Sequence, residues 1–163
     1  MYATHDPTTA PPLDLLLVPG GITAGTLWIE QFLQERYDST DYITSVCTGS
    51  VILARSGILD NKRATSNKRA WPNVILHGEN VTWVPNARWV KDDSEANGKV
   101  WTSSGVAAGM DMAYALFGWM YGTEKLNATM NNIEYSPHTD EHWDPYAVVH
   151  KVSRCLPESP TKC

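Results

Sequence analysis

The chain of 163 residues is 42% hydrophobic and 19% charged, and it carries a formal net charge of -5. This apolar content suffices for one domain, residues 1–163, built around one core. An acidic chain offers no basic surface to hold phosphates, which argues against nucleic acid as a partner.

The sequence shows neither a membrane span nor a secretory signal. No apolar run approaches the roughly 18 residues that cross a bilayer. The N-terminal segment MYATHDPTTAPP lacks the basic and apolar regions of a signal peptide, so we expect a cytoplasmic protein. Cys47, Cys155 and Cys163 are widely spaced, which is untypical of a disulfide framework or a zinc site. We interpret Cys155 and Cys163 as incidental surface thiols.

The first 59 residues alternate between apolar runs and helical patterns. LDLLLVPGG (13–21) is continuously apolar and predicts a strand buried on both faces of a parallel sheet. Residues 26–37 carry apolar side chains near helical spacing. DYITSV (41–46) predicts a second buried strand, and residues 48–59 predict a second helix that Gly57 stops. This order predicts an α/β fold with a mostly parallel sheet.

Further strands and helices are predicted in the second half of the chain. A long helix (105–122) is rich in small residues and would pack closely on the sheet, and another helix (123–135) follows it. The remainder is punctuated by proline and is expected to cover the surface. Before the helices, three strands are predicted at VTWVP (81–85), ARWVKD (87–92) and KVWTSS (99–104).

Cys47 lies where the second predicted strand meets the second predicted helix. A nucleophile on such a turn projects from tight backbone, so the residues two positions to either side must be small. Here they are Ser45 and Gly49. The following helix would aim free N–H groups at the thiol and favour the thiolate. The spacing predicts a nucleophile, although a cysteine ending a buried strand is also typical of an inert core residue.

A second glycine-rich strand end supports the nucleophile interpretation. The first predicted strand ends in Pro-Gly-Gly. Because ligands of open parallel sheets bind beyond the carboxyl ends of the strands, this loop and Cys47 are expected to meet at one site. Backbone N–H groups of Gly20 and Gly21, with those at Thr48 and Gly49, would then hold a developing negative charge.

Three segments together resemble the ThiJ/PfpI superfamily. They are DLLLVPGG (14–21), SVCTGSVILARSGILDNKRAT (45–65) and WTSSGVAAGMDMAYAL (101–116), in the order in which the family carries them. The chain is most similar to the branch of fungal and bacterial isonitrile hydratase-like proteins. The motifs cover residues 13–122, and residues 123–163 form a C-terminal extension whose EYSPHTDEHWDPY resembles the fungal members.

The resemblance implies a flavodoxin-like α/β sandwich with helices on both faces of the sheet. It also implies a homodimer that acts on a small molecule without a metal or an organic cofactor. Cys47 would be the nucleophile that attacks an electrophilic carbon, and Thr48 would orient substrate or water. Pro19, Gly20 and Gly21 match the family's glycine loop.

Two departures from the family bear on the site. Family members begin with a strand, helix and strand that carry an acidic residue beside the cysteine, whereas this chain reaches its first predicted strand soon after Met1. We therefore expect that portion to be missing, and a tight homodimer to cover the exposed sheet edge. Many relatives also carry a histidine where this chain has Asn67, so we expect no triad of cysteine, histidine and acid.

Other candidate residues have less specific interpretations. Asn67 is expected to contact the substrate, and Trp71, near the Asn67 loop, is expected to line the substrate pocket. Ser103 and Ser104 are expected to cap the long helix, with contact to the pocket as a secondary role. His138 and His142 have the helical i, i+4 spacing of a metal pair, but the segment resembles a family tail without a metal role. Trp83, Trp89 and Trp101 are expected to pack in the core.

Three hypotheses about function follow from these observations. The favoured one is a cofactor-independent, cysteine-dependent lyase or hydratase acting on a small electrophile such as an isonitrile. The second is a redox-sensing or chaperone- or deglycase-like protein of the same fold, in which Cys47 is oxidised to sulfinic acid. The third is a non-catalytic module for small-molecule binding or dimerisation.

Overall fold

A computed structural model describes residues 3–21, 26–95 and 97–152. Cys155 and Cys163 lie outside the described residues. In these ranges, none of the helices is long and apolar enough to cross a membrane. The elements in chain order are β1 (Leu15–Val18), α1 (Leu27–Arg36), β2 (Tyr42–Val46), α2 (Gly49–Arg55), β3 (Arg63–Ala64), α3 (Trp71–Val74), β4 (Thr82–Trp83), β5 (Trp89–Lys91), β6 (Val100–Ser103), α4 (Val106–Tyr121), α5 (Thr123–Asn132) and α6 (Pro145–Val149).

The main sheet has four strands in the order β1-β2-β6-β5. β1 and β2 run parallel, with Val18 opposite Ser45, and β2 and β6 run parallel, with Val46 opposite Ser103. β5 is antiparallel to β6. The carboxyl ends of three parallel strands therefore meet at one edge of the sheet, directly before the Pro-Gly-Gly loop and Cys47.

Helices cover both faces of this sheet because successive side chains of a strand point in opposite directions. On one face, Tyr42 and Val46 of β2 pack with Met112 of α4. On the other face, Ile43 belongs to the same buried cluster as Leu53 of α2, and α1 packs against α2. The mostly parallel sheet with helices on both faces confirms the predicted fold class.

The small residues of α4 let this helix lie close to the sheet, as the sequence predicts. A Cβ added at Gly109 would lie 2.7 Å from Cγ1 of Val46, well inside van der Waals contact. Val46 directly precedes Cys47, so this close packing fixes the end of β2 from which the candidate nucleophile projects.

The sequence patterns miss three short elements and do not specify the partner of one predicted strand. β4 lies within the predicted strand 81–85, but it pairs with β3 in a separate two-stranded parallel sheet. β3, α3 and α6 are too short to show a period in the sequence, so pattern analysis could not find them. Trp83, Trp89 and Trp101 are buried, as predicted.

Candidate active site at the Cys47 turn and a neighbouring charged cavity

Cys47 occupies a sharp turn between β2 and α2. Its φ is +60°, which is a backbone conformation that residues with a side chain rarely adopt. The Cys47 N–H donates to the Ser103 carbonyl oxygen at 3.2 Å and so continues the β2–β6 pairing by one residue. The thiol side chain is partly exposed. The turn thus has the backbone geometry of a nucleophile elbow.

Two buried serines hold the carbonyl group of Cys47. The Ser66 hydroxyl donates to the Cys47 carbonyl oxygen at 3.0 Å, and the Ser50 hydroxyl lies 3.2 Å from the same oxygen. The two hydroxyl oxygens are 2.7 Å apart. Because the strained residue is bonded through both its N–H and its C=O, neighbouring elements compensate for the cost of its conformation.

Gly49 is required by the close approach of β1. A Cβ on Gly49 would lie 2.2 Å from the Val18 carbonyl oxygen and 2.9 Å from that of Pro19. Ser45, on the other side of the turn, is completely buried beneath the sheet edge. The small residues two positions before and after Cys47 therefore meet the steric demands that the sequence motif predicts.

The Pro-Gly-Gly loop lies against Cys47 and Thr48. A Cβ on Gly20 would be 2.8 Å from Cβ of Cys47 and 3.2 Å from its Sγ, so only glycine fits there without a shift. The Gly21 N–H donates to Oγ1 of Thr48 at 3.0 Å, and the Thr48 hydroxyl lies 3.2 Å from the Gly21 carbonyl oxygen. The Gly21 N–H thus ties the loop to Thr48 and is engaged within the protein, whereas the sequence led us to expect it to bind negative charge.

A cavity of about 310 Å³ adjoins the turn at the same edge of the sheet. Ser66 donates to the Cys47 carbonyl oxygen, and the next residue, Asn67, lines the cavity. The Ser103 carbonyl oxygen accepts from the Cys47 N–H, and the next residue, Ser104, also lines the cavity. Cys47 itself does not line the cavity. The residues that do are Asn67, Lys68, Arg69, Arg88, Ser104, Gly105, Val106, Ala107, Ala108, Asp144, Tyr146 and His150.

Lys68 is a deeply buried charged residue that lines the cavity. Its Nζ donates to Oγ1 of Thr65 and to the carbonyl oxygen of Ala87, both at 2.7 Å, and lies 4.9 Å from the ring centre of Trp71. Burial lowers the pKa of Lys68 to about 8, and the neighbouring Asp144 carboxylate opposes that shift. Oδ2 of Asp144 lies 4.0 Å from the Lys68 Nζ.

Arg88 forms a second charged pair behind the cavity wall. Its Nε and Nη2 each donate to Oδ2 of Asp111 at 2.6 Å. Oδ1 of Asp111 accepts from the Tyr135 hydroxyl and from the His138 backbone N–H. This buried carboxylate therefore joins the β5 side of the sheet to the segment that leads to α6. Burial and the bond to Asp111 raise the pKa of Tyr135 above its ordinary value.

The remaining predicted site residues occupy different environments. Asn67 lines the cavity, and its Oδ1 accepts from the Ala70 N–H at 3.0 Å. Trp71 is only 3% exposed and packs edge-on against Trp83 in the core. It is not among the residues that line the cavity.

The prediction that Ser103 caps α4 is wrong. The helix is preceded by Gly105 and has no side-chain cap, and the buried Ser103 hydroxyl lies 3.2 Å from the Ser45 carbonyl oxygen. That hydroxyl therefore bonds across the sheet instead of reaching forward to the helix.

The two histidines at 138 and 142 do not form a helical pair, because α6 begins only at Pro145. In the described ranges, no group of three or more His, Cys, Asp or Glu residues could hold a metal ion. The interpretation of this segment as a metal site required the two histidines to lie on one face of a helix, and the segment that contains them is not helical.

Sequence reasoning did not find Lys68, Arg88 or Asp144. They lie far apart in the chain, and each belongs to a different segment of it. No spacing rule connects them, since only the folded sheet and the C-terminal segment bring them together. The one available signal was a lysine three residues after Thr65, where the second family-like segment (45–65) ends.

The comparisons with known proteins agree on one family. A model of the DJ-1/PfpI family matches residues 3–118. An isonitrile hydratase from Pseudomonas putida is 32% identical over 139 residues, which cover 80% of this chain and 58% of that protein. The chain therefore spans less than two thirds of the length of this curated relative.

Solved structures agree with this assignment. A ThiJ/PfpI family protein from Pseudomonas syringae is 28% identical with a TM-score of 0.65, over 81% of this chain and 54% of that one. An AraC family transcriptional regulator from Pseudomonas putida is 18% identical with a TM-score of 0.62, over 75% of this chain and 63% of that one. At the latter identity the likeness shows the fold alone.

Proposed function

The chain belongs to the DJ-1/PfpI family, and from that premise we propose that it is a hydratase converting a small isonitrile to the N-formamide, with Cys47 as nucleophile. The observation that carries the proposal is the turn at Cys47, where a positive φ presents a partly exposed thiol beside two glycine-rich segments. The similarity to an isonitrile hydratase supports the choice of substrate class.

The reaction balances without an oxidant, a reductant or a cofactor. The Cys47 sulfur bonds to the terminal isonitrile carbon, and the thiol proton ends on that carbon, which gives a thioimidate. Water then adds across the C=N bond, its oxygen to carbon and one proton to nitrogen. Collapse of the adduct breaks the C–S bond, forms the carbonyl group, returns a proton to sulfur and releases the N-formamide.

The surroundings of the sulfur suit this sequence of steps. A Cβ on Gly20 would lie 3.2 Å from Sγ of Cys47 and 3.1 Å from the Thr48 nitrogen, so the sulfur and that nitrogen lie close to the same point. A backbone N–H beside the reacting atoms stabilises negative charge that develops in the transition state. In this proposal the Thr48 N–H and not that of Gly21 has this role.

The other predicted site residues have supporting roles in the proposal. Thr48 fixes the glycine loop through both polar groups of Gly21. Asn67 contacts the substrate from the cavity side. Ser103 is buried and positions the turn through its carbonyl oxygen, which accepts from the Cys47 N–H. Trp71 is buried against Trp83 and Lys68 and supports the cavity from behind instead of touching substrate.

The test is turnover of benzyl isonitrile, with its N-formamide measured by mass spectrometry. We expect Cys47→Ser to lower kcat by about a hundredfold or more, because the hydroxyl is a far weaker nucleophile at neutral pH. The matched control is the double variant Cys155→Ser/Cys163→Ser, which removes the other two thiols and should keep full activity. Thermal unfolding of each variant checks that the fold is retained.

Two outcomes would contradict the proposal. Full activity in Cys47→Ser would remove the nucleophile from the mechanism. Absence of turnover by the folded wild-type chain, together with selective oxidation of Cys47 to sulfinic acid by peroxide, would instead support the redox-sensing hypothesis.

We also propose that the chain acts as a homodimer in the cytoplasm. Within the described residues β1 pairs only with β2 and forms an edge of the main sheet, and its Leu17 is 51% exposed. An apolar edge strand favours association with another chain. Sedimentation at micromolar concentration tests this, and a monomer with an ordinary thermal transition would contradict it.

A further inference from the structure

The charged cavity beside the turn contains the uncapped start of a long helix. Gly105, Val106, Ala107 and Ala108 all line it. The first hydrogen bond within α4 runs from the Gly109 N–H to the Gly105 carbonyl oxygen, so the N–H groups of the three residues before Gly109 precede the intrahelical ladder. Among the described residues, no side chain caps this helix end. Such an end attracts anions through its N–H groups and its dipole.

The side chains around this helix end leave a net positive charge. Arg88 is neutralised by Asp111, and Lys68 is balanced by Asp144. Arg69 also lines the cavity, is exposed, and makes no ion pair with the described residues. An anion at the start of α4 would therefore meet an arginine whose charge is not already balanced by a neighbour.

A second observation points to a ligand independently of the helix. Asp144 lines the cavity and is only 2% exposed, yet its Oδ2 accepts no hydrogen bond from the described residues. Its Oδ1 is engaged, because it accepts from the Tyr146 N–H at 3.0 Å and caps α6. The Lys68 Nζ at 4.0 Å is beyond hydrogen-bond distance. A buried carboxylate oxygen left without a donor is costly, so a donor from a ligand would satisfy it.

We propose that this cavity binds a small organic acid that carries an O–H or N–H donor near its carboxylate. The carboxylate lies at the N–H groups of Val106–Ala108 with Arg69 beside it, and the donor reaches Oδ2 of Asp144. The site requires a negative charge and a hydrogen-bond donor in the same ligand. It therefore favours hydroxy acids and amino acids over simple carboxylic acids and neutral alcohols. It uses no atom of Cys47, so it is tested separately from the hydratase proposal.

The experiment compares three probes that differ in one group each. Glycolate has a carboxylate and a hydroxyl, acetate has only the carboxylate, and ethylene glycol has only hydroxyls. Binding is followed by titration of the 15N-labelled full chain, with the backbone amide signals of Val106–Ala108 as the readout. We expect glycolate to bind about tenfold more tightly than acetate, since a hydrogen bond to a charged group gives a difference of that order. Ethylene glycol should not shift these signals.

Two variants separate the parts of the site. Asp144→Asn keeps an oxygen to cap α6 but places a donor where Oδ2 was, so glycolate and acetate should then bind within about twofold of each other. Arg69→Ala changes an exposed side chain and should weaken both acids about equally, by roughly threefold or more. The matched control is Arg63→Ala, an exposed arginine on β3 outside the cavity, which should leave both affinities unchanged.

Three results would overturn the proposal. The first is the absence of glycolate-dependent shifts at Val106–Ala108 in the wild-type chain. The second is equal affinity for glycolate and acetate in the wild type, which would remove the role of Asp144. The third is loss of binding in Arg63→Ala as large as in Arg69→Ala, which would show a diffuse effect of charge. Because the readout is binding, it is unaffected by whether the chain turns over isonitriles.

Discussion

The Cys47 turn and the charged cavity lie side by side at one edge of the sheet, but they are built in opposite ways. The turn is made of backbone packed on backbone, with glycines where any side chain would collide with a carbonyl group or with the thiol. The cavity wall includes Lys68 and Arg88, whose charged side chains are held in buried pairs with carboxylates. Changes at the turn therefore act through steric crowding, and changes at the cavity act through unbalanced charge.

This difference decides how far a perturbation spreads. Glycines at the turn keep main-chain atoms close together, so a substitution there crowds the few atoms next to the added side chain. Asp111, in contrast, collects donors from Arg88, Tyr135 and the His138 backbone, so its loss releases several groups at once. We expect the cavity wall to be the more sensitive of the two regions for stability.

The largest expected effect is that of Asp111→Ala on the cavity side. The substitution leaves the guanidinium of Arg88 largely buried without its partner, and breaking such a pair costs about 3–5 kcal/mol in the free energy of unfolding. The control is Asp93→Ala, whose carboxylate pairs with Lys91 at 3.0 Å on the surface and should cost under about 1 kcal/mol. Urea unfolding measures both, and similar losses in the two variants would refute the comparison.

The next largest effect is that of Gly49→Ala at the turn. The added methyl group would lie 2.2 Å from the Val18 carbonyl oxygen, and relieving this overlap costs about 1–3 kcal/mol. Gly21→Ala in the neighbouring loop is the matched control, because its Cβ would meet nothing within 4 Å. Thermal unfolding should separate the two variants clearly. If both melt like the wild type, the close approach of β1 to the turn is not a constraint on stability.

A smaller effect distinguishes the cavity by its pH dependence. The pKa of Lys68 is about 8 in the folded chain and near its ordinary value of 10.5 when unfolded, so between these values the unfolded state binds more protons. Stability contributed by this group therefore rises with pH across that window. From about pH 7 to 9.5 the wild type should gain about 2 kcal/mol relative to Lys68→Met, which lacks the titrating amine.

The free energy of unfolding is measured against pH for the wild type and for Lys68→Met. The difference between the two curves isolates the Lys68 amine, because all other titrating groups are present in both proteins. A wild-type curve parallel to that of Lys68→Met would mean that the Lys68 amine is not perturbed. A relative fall with rising pH would mean that the charged form is favoured by folding.

The turn could be predicted from the sequence because its determinants are close together. Ser45, Cys47 and Gly49 lie within five residues, and the steric rule that relates them is local. The strands and helices of the first 59 residues were predicted for the same reason, since long apolar runs and helical spacing were both present. The family resemblance then joined the Pro-Gly-Gly loop to the turn.

The cavity could not be predicted in this way. Its charged residues come from the loop after β3, the residue directly before β5 and the segment before α6. β3 has two residues and α6 has five, which are too short for a periodic pattern. Ser103 was assigned to a helix cap because it precedes α4 in the chain, but its hydroxyl bonds across the sheet to Ser45. Such contacts depend on strand pairing, which single-residue patterns do not specify.

The positive φ at position 47 favours glycine for stability, whereas the proposed chemistry requires cysteine there. A residue with a side chain held in this conformation costs on the order of 1–3 kcal/mol, whereas glycine adopts it freely. Variants selected only for heat resistance should therefore accumulate glycine at position 47, and variants selected for turnover should keep cysteine. The residue found at this one turn would then report which of the two pressures a population has experienced.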